Sequence, residues 1–63
     1  MKYRDLIKLI ESAGWQLHHS KGSHLIFRHS QRAGSIVIAG GGKISRDVPK
    51  GTEQAILRQA GLK

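Results

Sequence analysis

Tyr3, Leu6, Ile7, Ile10 and Ala13 recur at three- and four-residue steps, the spacing that lines up side chains on one face of a helix. Gly14 follows as a left-handed C-terminal cap, and Trp15 then folds back onto the last turn in the manner of a Schellman ending. The same pattern recurs at 55–62, where Ala55, Ile56, Gln59 and Ala60 precede Gly61 and Leu62. Pro49, Gly51 and Thr52 mark its start, so a second helix is predicted from about Lys50 to Ala60, with Thr52 as candidate cap. Position 55 is Ala rather than Glu or Gln, so there is no capping box.

Between the helices the stretches Trp15–Ser20, His24–His29 and Ser35–Ala39 are short and rich in large apolar or β-branched residues. SKGS and SQRAG separate them, which predicts an antiparallel meander. Residues directly opposite each other share a sheet face, so the register of the first hairpin decides what the sheet offers. An even-length loop pairing His19 with His24 would set Trp15 and Leu17 on the opposite face from Leu25 and Phe27. An odd-length loop gathers all four under the helices and turns His18, Ser20, His24, Ile26 and Arg28 outward. The odd register is therefore expected. The fold class is α+β, ordered α-β-β-β-α, with a three-stranded antiparallel sheet, both helices on one face and the other face open.

Sixty-three residues make one domain, 1–63, too small for an enclosed cofactor cavity, and no cofactor is expected. There is no cysteine, hence neither a disulfide framework nor a thiolate metal site, and a reducing, cytoplasmic setting is expected. Asp5, Lys8 and Glu11 interrupt the apolar residues of the N-terminal stretch, which excludes reading it as a signal peptide or membrane span. Eleven Lys and Arg stand against four Asp and Glu, a formal charge of +7. Such an excess points to a polyanionic partner, a nucleic acid or an acidic protein.

The four histidines invite a metal reading, but strand alternation sets His18 against His19, and His24 against His29, so no metal site is expected. GGGKIS fails as a phosphate loop, because Val37 stands where the first Gly belongs and Ile44 where Ser or Thr must follow Lys43. Gly40 to Gly42 are expected to link the third strand onward, although their amides beside Lys43 are also suited to a phosphate. In KGSHLIFRH a tight basic turn brings Ser23 and His24 to the edge of the open face, with Arg28 nearby. RNA cleavage can use the neighbouring 2′-hydroxyl as nucleophile, leaving the protein to supply a proton carrier active near pH 7 and positive charge. Spacing alone fits an ordinary polar strand histidine and does not establish catalysis.

Gly14 and Trp15, KGSH at 21–24, Phe27 with His29, and KGT followed by ILRQAGL together resemble the HicA family of toxin ribonucleases over nearly the whole chain. The resemblance implies a fold like that of double-stranded RNA-binding domains. It also implies metal-independent cleavage of mRNA that inhibits translation, the histidine of GSH as general acid or base, and neutralisation by a HicB-like antitoxin. Here that histidine is His24, with Lys21, Ser23, Arg28 and Lys43 as the expected RNA contacts. Ser30 and Ala39 to Gly42 stand where family members often carry a proline and a Pro-x-His segment, leaving His18 or His29 as substitutes for a second histidine. The alternatives are a noncatalytic RNA-binding module of the same fold and a protein-interaction domain.

Overall fold

The computed structural model describes residues 1–39 and 44–63. Its elements run α1 (Tyr3–Ser12), β1 (Gln16–Lys21), β2 (His24–His29), β3 (Arg32–Ile38) and α2 (Lys50–Gln59), and the sheet order is β1-β2-β3, antiparallel throughout. Gly40 to Gly42, the expected connector, and Lys43 lie outside the described residues.

Helix α1 buries Leu6 and Ile10 completely, with Tyr3, Ile7 and Ala13 packed at the margin, the stripe its spacing predicts. Its first amides have no partner within the helix, and two are satisfied from the segment before α2. Tyr3 N–H donates to the Arg46 carbonyl at 2.9 Å and Arg4 N–H to that of Ile44 at 3.0 Å. Both helices end as predicted. Trp15 N–H reaches back to the Ile10 carbonyl and Gly14 N–H to that of Glu11, while Leu62 and Gly61 bond Leu57 and Arg58 in the same way. Gly14 has φ +99°, open to glycine and strained for other residues.

Helix α2 starts earlier than a Thr52 cap allows. Pro49, at φ −55°, occupies the cap position without a side-chain bond, and its carbonyl already accepts the Glu53 amide at 2.9 Å. Proline's fixed φ suits helix entry, so Thr52 falls inside the first turn and caps nothing.

Strand β3 also starts early, at Arg32 rather than Ser35, because Ser30 and Gln31 alone make the turn; the ladder shifts register between Arg28 and His29. Phe27 lies opposite Ile36, and Leu25 opposite Ile38. Phe27, Ile36 and Ile38 are sealed in one cluster with Leu6, Ile10, Trp15, Val48, Ile56 and Ala60. Trp15 Nε1–H donates to the Ala60 carbonyl at 3.3 Å and so joins the sheet entry to the end of α2. On the other sheet face Ile26 lies opposite Val37, which is 52% exposed. Both helices therefore cover one face and leave the other open.

The β1–β2 register differs from expectation. Gly22 and Ser23 form a two-residue turn, so Lys21 pairs with His24, Ser20 with Leu25 and His19 with Ile26. Of the two turn residues only Gly22 has positive φ, +59°, as in a type II′ hairpin turn. An even loop of this kind would split the apolar residues, but a β-bulge between Leu17 and His19 inserts one extra residue and restores the odd register beyond it. Leu17 then faces Phe27, and Gln16 faces Arg28. Two expectations are corrected as a result. His19 and Lys21, rather than His18 and Ser20, share the open face with His24, and Leu17, expected in the core, is 51% exposed on an edge strand.

Candidate functional site

No Asp or Glu stands between Glu11 and Asp47, so all three strands are free of carboxylates while carrying Lys21, Arg28 and Arg32, each exposed. His24 is exposed at the first position of β2, directly opposite Lys21. Such pairs hold their Cβ atoms about 4.5–5.5 Å apart, which keeps the Lys21 ammonium group within reach of the imidazole. Ser23 is exposed in the turn before it. Arg28 is on the same face but four residues along, about 13 Å at strand spacing, too far to share one phosphate with His24. It lines an open groove of about 290 Å³ with Gln16, Leu17, His18, His29 and Ser30. Turn and strand thus bring Lys21, Ser23 and His24 together and set Arg28 apart along the same surface. Lys43 lies outside the described residues.

The other histidines divide into two kinds. His29 is half-buried, on the helix side of β2, its ring edge-on to Trp15 with centroids 5.3 Å apart. Its Nε2 is 2.9 Å from the Ala13 carbonyl, and its Nδ1 is 3.0 Å from the Gln31 amide nitrogen. A carbonyl only accepts and an amide N–H only donates, so Nε2 carries the hydrogen and Nδ1 the lone pair. With both nitrogens engaged, His29 ties β2 to α1 and is withdrawn as a substitute second histidine.

His18 and His19, expected on opposite faces, come together instead. The bulge places their Nδ1 atoms 3.0 Å apart, with ring centroids at 5.3 Å, and both side chains are exposed. His19, which the sequence reading passed over, is a neighbour of His24 on the open face. Among the described residues no three His, Asp or Glu side chains gather as metal ligands, and no helix is long and apolar enough to cross a membrane.

An α-β-β-β-α domain with an open, acid-free sheet face and an exposed histidine opposite a lysine has a fold like that of double-stranded RNA-binding domains. The model of the family described as HicA toxin of bacterial toxin-antitoxin matches residues 3–62, and the chain belongs to that family. Membership makes it the toxin of a toxin–antitoxin system, with a cognate antitoxin as partner. A search of curated proteins found no match.

Proposed function

We propose that this toxin is an endoribonuclease that cleaves mRNA without a metal and so inhibits translation, with His24 as general acid or base. Lys21 offers charge to the phosphate under attack, and Ser23 a hydroxyl at the turn. Arg28 and Lys43 hold flanking phosphates. The observation that carries this reading is the exposed His24 opposite Lys21 on a sheet devoid of carboxylates, in a chain of the HicA family. An imidazole suits proton transfer near neutral pH, and an adjacent cation offsets the charge that grows on a pentacoordinate phosphate. RNA supplies its own nucleophile in the 2′-hydroxyl.

The test is His24→Ala. His24 is exposed, and surface changes usually alter stability by no more than about 0.5 kcal/mol, so the variant should unfold at nearly the native temperature. Cleavage of a long RNA should fall by roughly 100- to 10,000-fold, growth inhibition should disappear, and EDTA should leave the native rate unchanged. A folded variant that cuts at near the native rate would refute the assignment, as would native activity abolished by EDTA. Undiminished RNA binding by a native protein that never cuts would instead favour the noncatalytic module.

A further inference from the structure

We propose that His19 is the second proton carrier of the site and that His18 positions it; the inference rests on the ribonuclease reading above. The β-bulge is the structural cause. Without it, strand alternation would send neighbouring histidines to opposite faces; with it, His19 sits opposite Ile26, two residues from His24 on the same face. That makes His19 the diagonal cross-strand neighbour of His24, at about 7–8 Å, within reach of long and aromatic side chains. Two exposed imidazoles therefore stand over one stretch of the open sheet face. His18 Nδ1 lies 3.0 Å from His19 Nδ1, a hydrogen bond that orients the His19 ring and leaves its Nε2 free for substrate. A base oriented by a third group is a recurring signature of such sites.

The chemistry needs two proton transfers. The 2′-oxygen attacks phosphorus and forms a new O–P bond, and one imidazole takes the 2′-hydroxyl proton. The bond from phosphorus to the 5′-oxygen breaks, and the other imidazole, entering protonated, gives its proton to that leaving oxygen. The products are a 2′,3′-cyclic phosphate and a 5′-hydroxyl, with the total proton count unchanged. His24 alone would have to perform both transfers. His29 is bonded through both nitrogens and cannot help. Among the described residues, the charged or titratable groups facing His19 on this surface are His18, Lys21, His24 and, further along, Arg28; β3 presents Val37 and Ser35 there.

The experiment is the pH dependence of cleavage of a single-site RNA oligonucleotide by the native chain and by His19→Ala, His19→Gln, His18→Ala and His24→Ala, with thermal unfolding recorded for each. The native chain should give a bell-shaped profile and a cyclic phosphate end. Each His19 variant should lose about 100-fold or more in kcat and keep a single limb of the bell, and His19→Ala should recover activity in added imidazole. His18→Ala should keep both limbs, displace one of them, and lose less than His19→Ala. His19→Gln, which retains a polar side chain beside His18, guards against a structural effect of truncation. Folded His19 variants cutting within about threefold of native, or keeping both limbs, would overturn the proposal while leaving His24 in place. Cleavage that survives in His24→Ala would instead bring down the parent reading, and this inference with it.

Discussion

His29 Nε2–H donates to the carbonyl of Ala13 at 2.9 Å and so joins the last residue of β2 to the end of α1. Carbonyls at a helix C-terminus have no partner within the helix, and a half-buried one left without a bond costs about 1–3 kcal/mol. The next residue, Gly14, is where this join is most exposed to mutation. A Cβ there would stand 2.6 Å from His29 Nε2, on a backbone whose φ of +99° already excludes most side chains. Gly14→Ala is therefore expected to lower the unfolding temperature by on the order of 10 °C, since each kcal/mol is worth about 4–8 °C in so small a domain. Gly22→Ala is the control, because it also carries positive φ but a Cβ there meets nothing within 4 Å. Equal losses in the two variants would show backbone strain alone at work and discount the His29 contact.

Leu17 and Phe27 face each other across β1 and β2, yet one is 51% exposed and the other 1%. Substitution should separate them sharply. Phe27→Ala removes a sealed core ring at a cost of about 3–5 kcal/mol, comparable to the whole net stability expected of a domain this small. Circular dichroism should find that variant largely unfolded at 37 °C. Leu17→Ser should leave a cooperative transition within a few degrees of native. A large loss at Leu17 would mean that the edge position is packed in solution.

Both helices, their Schellman endings and the one-sided core were legible in the sequence because they depend on local period and on glycine at fixed places. The bulge was not. Leu17-His18-His19 contains no glycine, proline or break in polarity to mark an extra residue, and the parity of the hairpin could be reasoned only as one value for the whole length. The protein uses two values, even at the turn and odd at the base, so His19 and Lys21 took the face assigned to His18 and Ser20. The start of β3 was hidden for a related reason, since the stretch around Gly34 reads as loop while the ladder skips Ala33 and Gly34 and resumes at Arg32 opposite His29. His24 on the open face was correctly placed, because β2 alternates without interruption from Leu25 to His29.

Charge should govern RNA binding. Basic side chains gain affinity by releasing counterions from phosphates, and each phosphate neutralised on a single strand contributes about 0.7 to the slope of log affinity against log salt. Arg28 and Lys21 stand far enough apart on the sheet to contact different phosphates, so Arg28→Ala and Lys21→Ala should each flatten that slope by about this amount, and nearly additively together. Fluorescence anisotropy of a labelled RNA across 50–200 mM salt, in the inactive His24→Ala background, is the measurement. A native slope near zero would remove the acid-free face from the account of binding.

The antitoxin should bind where RNA does. Its partner surface carries an excess of positive charge with no carboxylate on any strand, so the complementary surface is acidic, and burying Lys21, His24 and Arg28 together would block phosphate and proton carrier at once. The helical side offers a less basic target: α1 sets exposed Asp5 and Glu11 beside exposed Arg4 and Lys8, whereas the strands carry no carboxylate. Hydrogen exchange on the purified complex should therefore show protection at Lys21–Arg28, with little change over Asp5–Glu11. Complex formation should slow at high salt, as electrostatically steered association does. RNA and antitoxin should compete for the toxin in a binding assay. If protection fell only on the helices while RNA still bound the complex with the affinity of the free toxin, neutralisation would have to act at a distance from His24 and this account of the partner would be wrong.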